Sequence, residues 1–110
     1  VDVTADRTRE AELARRAATD PLTTIANRSA AWNRLEELDT ADQGYGVLFC
    51  DIERFKSVND QRGHHAGDQL LVEVAGRLLA AVDENDLVAR WGGDEFLIIT
   101  DTVEEHGLAR

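Results

Sequence analysis

Arg90-Trp91-Gly92-Gly93-Asp94-Glu95-Phe96 lies between two short apolar runs, Leu87-Val88-Ala89 before it and Phe96-Leu97-Ile98-Ile99 after it. An apolar run, a glycine-bearing turn and a second apolar run predict a β-hairpin with two glycines and two carboxylates at its tip. Gly92 and Gly93 suit the positive φ angles that such a turn asks for. Asp94 and Glu95 are harder to account for, because adjacent like charges repel unless a cation or hydrogen-bond donors lie between them. Successive strand residues point to opposite faces, so only one of the pair faces a given partner directly. Taken alone, this tip reads as an acidic, solvated turn. A second acidic site upstream argues otherwise.

That site follows Val47-Leu48-Phe49-Cys50, a continuous apolar run that predicts a strand covered on both faces. The run ends in Asp51-Ile52-Glu53, and a carboxylate at the end of a buried strand is costly to ionise unless it is paired or metal-bound. If this strand and the hairpin share one sheet, Asp51 and Asp94 meet at one edge. Two carboxylates from separate strands, with backbone carbonyls nearby, suit a hard cation such as Mg²⁺, which prefers oxygen ligands and often binds substrate phosphates as well.

Length and composition agree with a single soluble domain: 110 residues, 43% hydrophobic and 31% charged. No apolar run is long enough to span a membrane, and no secretory signal opens the chain. Cys50 is the only cysteine, which excludes a disulfide within the chain and predicts a small packed side chain in a reducing compartment. A net charge of −10 speaks against a surface that coats nucleic-acid phosphates, but leaves room for a phosphate ligand held through divalent ions. Lys56 is the only lysine and no Gly-rich loop ends in Lys-Ser or Lys-Thr, so a P-loop is excluded.

Residues 1–19, rich in Ala, Arg and Glu with ion pairs such as Glu12 with Arg16, predict a helix. Its apolar stripe is weak, which suits a helix bridging to something upstream or pairing with a second copy. Asp20-Pro21 breaks the pattern. Asn27 is placed to cap a second helix, with Ala31, Trp32, Leu35 and Leu38 at helical spacing as its core face, and Arg28 reads as one half of a structural ion pair. Residues 55–67 are polar and glycine-punctuated, which predicts irregular backbone around a short helix. From Asp68 the stripe Leu70, Leu71, Val74, Ala75, Leu78, Leu79 and Val82 predicts a core helix, and residues 103–109 begin another. The order of helix, strand, helix and hairpin predicts an α/β or α+β sheet with helices packed on it.

Taken together, these residues resemble the diguanylate cyclase family, named GGDEF for its Gly-Gly-Asp-Glu-Phe signature. Asp20-Pro21-Leu22-Thr23 with Asn27-Arg28 looks like the family's opening motif, and Asp51-Ile52-Glu53-Arg54-Phe55-Lys56 with Val58-Asn59-Asp60 looks like its first catalytic strand. Gly63-His64 and Gly67-Asp68 correspond to its guanine-contacting loop, and residues 90–96 to the signature. The resemblance implies a sheet with flanking helices like the palm of nucleotidyl cyclases and polymerases, with the hairpin at the active edge. It divides the chain into a linking helix at 1–19 and a C-terminally incomplete GGDEF domain at 20–110.

By that resemblance, Asp51, the carbonyl of Ile52 and Asp94 hold Mg²⁺, with Mn²⁺ as an alternative, and Glu95 binds metal or activates the attacking group. Asp94 and Glu95 are the implied catalytic residues. Asn59 and Asp68 would read guanine, His64 would shape that pocket, and Lys56, Gly92 and Gly93 would lie along the nucleotide. Asp68 can accept from guanine's ring N–H and exocyclic amine, a donor pair that adenine lacks.

The implied reaction condenses two GTP to cyclic di-GMP and two pyrophosphates. It takes place between two facing copies of the domain and in the cytoplasm, under an upstream sensory domain whose protein could be anchored in a membrane. The alternative within the same resemblance is an inactive domain that binds GTP or a protein partner and regulates its parent. A weaker third reading is a dimerising module built on residues 1–19.

The chain departs from the family pattern at three places. Glu53 stands where Asp is more common, keeping the charge. Thr24-Ile25-Ala26 replaces a Gly-Leu pair in the opening motif, with an effect expected on packing only. Asp83 occupies the Arg position of the product-inhibition motif while Asp86 is kept, so feedback through that site is expected to be absent.

Overall fold

The computed structural model describes residues 3–101, with side chains described from residue 8 onward. The predicted helix at 103–109 lies outside the described residues. The elements run α1 (Val3–Ala18), α2 (Arg28–Thr40), β1 (Gly46–Asp51), α3 (Phe55–Arg62), α4 (His64–Ala81), β2 (Leu87–Arg90) and β3 (Glu95–Thr100). The three strands form one antiparallel sheet in the order β1-β3-β2. Mixed α and β elements around a small antiparallel sheet are the architecture that the sequence predicts.

β3 is the middle strand, and its alternation divides the core in two. Phe96 and Ile98 pack with Leu71 and Ala75 of α4 on one face, while Leu97 and Ile99 pack with Ala31 and Leu38 of α2 on the other. The sheet is therefore clasped between two helices over β3 and β2. Asn27 caps α2 as expected, its side-chain oxygen accepting from the Ala30 N–H at 2.9 Å. α1 carries its predicted ion pair of Glu12 with Arg16 at 3.3 Å and a largely exposed Leu13.

Several expectations require correction. β1 is not covered on both faces: Val47, Leu48 and Phe49 are 46%, 54% and 58% exposed. The cause is position, because β1 forms one edge of the sheet and the two helices pack over the other strands. Cys50 does pack against the α4-side core. Trp32, expected in the core, is exposed, as is Leu79 at the outer rim of the α4 stripe. α4 begins at His64 rather than at Asp68, because Gly63 alone, at φ 89°, breaks the chain between two helices.

Thr24, expected to affect packing only, sits at φ 64°. A β-branched residue there carries about 1–2 kcal/mol of steric cost that glycine does not. Thr24 is exposed and its hydroxyl donates only to the neighbouring Thr23 carbonyl. Thr24→Gly should therefore stabilise the domain by about 1 kcal/mol, even after glycine's larger loss of unfolded-state entropy. Thermal unfolding followed by circular dichroism would show a rise of roughly 4 °C; an unchanged or lower midpoint would contradict the argument.

Candidate functional site

The two acidic segments meet because β1 and β3 pair antiparallel with Asp51 directly opposite Glu95. One residue further, the Ile52 N–H donates to the Asp94 carbonyl at 3.1 Å. Residues directly opposite on antiparallel strands point to the same face, with Cβ atoms roughly 5 Å apart, where like charges are destabilising. Asp51 is exposed, while Asp94 and Glu95 are half-buried. Exposure removes the desolvation argument that first singled out Asp51, and the like-charge pairing across the strands replaces it.

The hairpin closes as predicted, with the Trp91 and Gly92 N–H groups both donating to the Glu95 carbonyl at 2.8 and 3.3 Å. The glycines serve a different purpose from the one expected. Neither Gly92 nor Gly93 has a positive φ. The Glu95 carboxylate folds against Gly92, so that a Cβ there would make this flexible side chain swing aside, whereas Gly93 faces open space.

Two arginines hold this turn, a role that the sequence does not announce for either. Arg28, expected to form an ion pair, instead stacks 4.4 Å from the Trp91 ring centre and donates through Nε to the Trp91 carbonyl at 3.1 Å. Trp91 also meets Trp32 and Phe49 at 5.5 and 5.7 Å between ring centres. Arg90 donates to the Gly92 and Gly93 carbonyls and lies 3.3 Å from both Asp20 carboxylate oxygens. Its signal in the sequence is only its place at the head of the signature.

Asn59 of α3 reaches α4 at Gly67, next to Asp68 in the chain. The Asn59 side-chain oxygen lies where a Cβ on Gly67, the residue before Asp68, would stand, and it is buried without a hydrogen-bond partner. A buried amide oxygen left unpaired calls for a donor. Asp68 is exposed and lines a groove of about 550 Å³ with Leu22, His65, Gln69, Val72 and Glu73. Sequence reasoning misses Leu22 as a lining residue, although it stands in the opening motif. His64 is exposed at the first position of α4, and Lys56 is exposed in the first turn of α3.

Among the described residues no three His, Cys, Asp or Glu side chains gather as a cage. What the register brings together is one carboxylate pair, Asp51 opposite Glu95, with the backbone bond between the Ile52 N–H and the Asp94 carbonyl beside it. That donor set is all oxygen and carries excess negative charge. It fits Mg²⁺, which takes one or two protein carboxylates and completes its shell with water and substrate phosphates. Also among the described residues, no helix is long and apolar enough to cross a membrane.

The profile described as "Diguanylate cyclase, GGDEF domain" matches residues 17–110. MucR of Pseudomonas aeruginosa, a bifunctional diguanylate cyclase/cyclic di-GMP phosphodiesterase, is 45% identical over 97 residues, covering 84% of this chain and 14% of MucR. NbdA of the same organism, a cyclic di-GMP phosphodiesterase, is 38% identical over 100 residues, covering 87% of this chain and 13% of NbdA. The chain thus spans about one seventh of the length of these relatives. The structure of the coiled coil and GGDEF domain of DgcB from Caulobacter crescentus, in complex with c-di-GMP, superposes with a TM-score of 0.86 at 30% identity, over 98% of this chain and 59% of that one. With its profile match, its relatives and its fold in agreement, the chain belongs to the GGDEF diguanylate cyclase family.

Proposed function

We propose that this chain supplies one half of an active site that condenses two GTP into cyclic di-GMP, releasing two pyrophosphates. The observation that carries this reading is the register placing Asp51 opposite Glu95, with Asp94 bonded through its carbonyl to Ile52. Asp51, the Ile52 carbonyl, Asp94 and Glu95 are the residues that would hold Mg²⁺ or Mn²⁺. Divalent ions there lower the pKa of the attacking 3′-hydroxyl and neutralise charge at the α-phosphate. Asn59 and Asp68 orient the guanine, His64 shapes the base pocket, Lys56 approaches the phosphates, and Gly92 and Gly93 let the nucleotide lie close to the turn.

Each domain binds one GTP, so turnover needs a second copy facing the first, and α1 is the element that brings two copies into register beneath an upstream sensory domain. Residues 1–19 act as the linking helix and 20–110 as the catalytic part, working in the cytoplasm on GTP rather than on nucleic acid. A second reading, a regulatory GTP-binding or protein-interaction domain without turnover, draws support from the phosphodiesterase activity named for NbdA and MucR. Retention of both signature carboxylates favours the cyclase.

Incubating the full-length protein with Mg²⁺ and GTP and resolving products by chromatography tests this. Cyclic di-GMP that disappears with EDTA supports the cyclase; GTP binding without product supports the regulatory domain. Gly67→Ala should melt at or below the wild type, because overlap of the new Cβ with the buried Asn59 side-chain oxygen and its approach to Phe55 cost about 1–3 kcal/mol against a helical gain of about 1 kcal/mol. Its KM for GTP should rise roughly tenfold, the equivalent of about one hydrogen bond to the base; an unchanged KM would remove Asn59 from base recognition.

Feedback by product is expected to be absent. Asp86 closes the turn after α4, its carboxylate accepting from the Asp83 N–H at 3.0 Å, and no arginine stands at Asp83 to clasp a phosphate. Initial rates should be insensitive to added cyclic di-GMP, and product binding that Asp86→Ala abolishes would contradict this.

A further inference from the structure

Arg90 joins three parts of the molecule that are distant in sequence. Its backbone N–H donates to the Ala26 carbonyl at 2.8 Å. Its guanidinium donates to the Gly93 carbonyl, at 2.9 Å from Nη2, and from Nη1 meets Asp20 at 3.3 Å. Asp20 is bound in turn by the Thr23 N–H at 2.9 Å and the Thr23 hydroxyl at 2.7 Å. The same connecting segment is fastened to the end of α1, with the Asn27 N–H on the Ala18 carbonyl at 2.9 Å and its side-chain amide on the Ala17 carbonyl at 2.8 Å. From the last turn of α1 to the peptide preceding Asp94, no step lacks a hydrogen bond.

We propose that Arg90 is a positioning residue through which the segment following α1 sets the conformation of the 92–94 turn, so that the orientation of α1 reaches the carboxylates of Asp94 and Glu95. This deepens the cyclase reading and rests on it only for the catalytic consequence. The residue type suits the task, since a guanidinium presents five donors in a rigid fork and serves two carbonyls and a carboxylate at once, which a lysine ammonium cannot do in the same geometry. The side chains of Arg90 and Asp20 are 20% and 15% exposed, so solvent screens their contact weakly. Burial pushes the Asp20 pKa up, but hydrogen bonds from Thr23 and the Arg90 charge outweigh it and hold the carboxyl below its ordinary value. The depressed value means that the anchor is intact at neutral pH and is lost only as pH falls through that lowered pKa.

Amide hydrogen exchange on the wild type, Arg90→Lys and Asp20→Asn tests the proposal without requiring turnover. In both variants exchange at the Trp91, Gly92 and Ile52 amides, which are hydrogen-bonded to Glu95 and Asp94, should accelerate roughly ten- to a hundredfold, the effect of losing one charge-assisted hydrogen bond. Exchange at Leu97, Ile98 and Ile99 should stay at wild-type rates. Turn exchange at the wild-type rate in either variant, or acceleration spread evenly over the sheet, would overturn it. In the active full-length protein both variants should lower kcat and raise the Mg²⁺ concentration for half-maximal rate, with any rise in the KM for GTP smaller than the fall in kcat. If the wild type makes no cyclic di-GMP, the cyclase reading fails, and the exchange pattern still decides the role of Arg90.

Discussion

Asp94→Asn should reduce cyclic di-GMP formation by about 10³-fold while leaving the fold intact. The amide has the size and shape of the carboxylate and the Asp94 backbone keeps its bond to Ile52, so neither packing nor register has reason to change. On the proposed cyclase reading, what is lost is a negative charge that would help hold divalent ions at the transferring phosphoryl group, and such electrostatic contributions are worth several kcal/mol in the transition state. Without metal the sign on stability reverses. Asp94 adjoins Glu95, which lies opposite Asp51, so neutralising it lowers the negative charge at this end of the sheet and should leave the metal-free melting temperature equal or slightly higher. Product assays with circular dichroism melts on the same samples check both halves. Full activity in the Asp94→Asn protein would remove Asp94 from the chemistry, and a much earlier melt would make it a structural residue.

Phe96→Ala should cost about 3–5 kcal/mol, the usual range for deleting a buried aromatic side chain. Phe96 is 0% exposed and sits on the central strand, opposite Cys50 on one side and Arg90 on the other, packed into the α4-side core. The total stability of a domain this size is on the order of 5–15 kcal/mol, so the variant should be largely unfolded at moderate temperature. Leu13→Ala, at a position 56% exposed on α1, is the control and should melt like the wild type. Equal melting of the two variants by circular dichroism would mean that the core has been wrongly located. The prediction also gives the last letter of the signature a physical meaning, because the residue after the two carboxylates anchors their hairpin in the core.

Much of the site is legible wherever the signal is local. The hairpin follows from two apolar runs about a glycine turn, the α2 cap from Asn27, and the core face of α4 from the spacing of Leu71 and Ala75. The meeting of Asp51 with the signature needs one further assumption, that both strands share a sheet, and the register bears it out. Gly67 illustrates the opposite case. A glycine within a polar stretch reads as a loop signal, yet this one lies inside α4, because the Asn59 side chain takes the space a Cβ would need. Gly92 departs differently, since turn chemistry suggests a positive φ that it does not adopt.

Periodicity, capping and turn chemistry act between residues a few positions apart, and these established the elements and the acidic tip, while the family followed from the resemblance of several motifs in order. Burial acts between elements: four consecutive apolar residues in β1 look alike whether the strand is central or at an edge, and only the order β1-β3-β2 left Val47, Leu48 and Phe49 exposed. Arg90 carries the same lesson for the site. Its contact with Asp20, seventy positions away, arises from how the connecting segment runs beside β2 at Ala26 and Ala89, and no spacing along the chain encodes that approach.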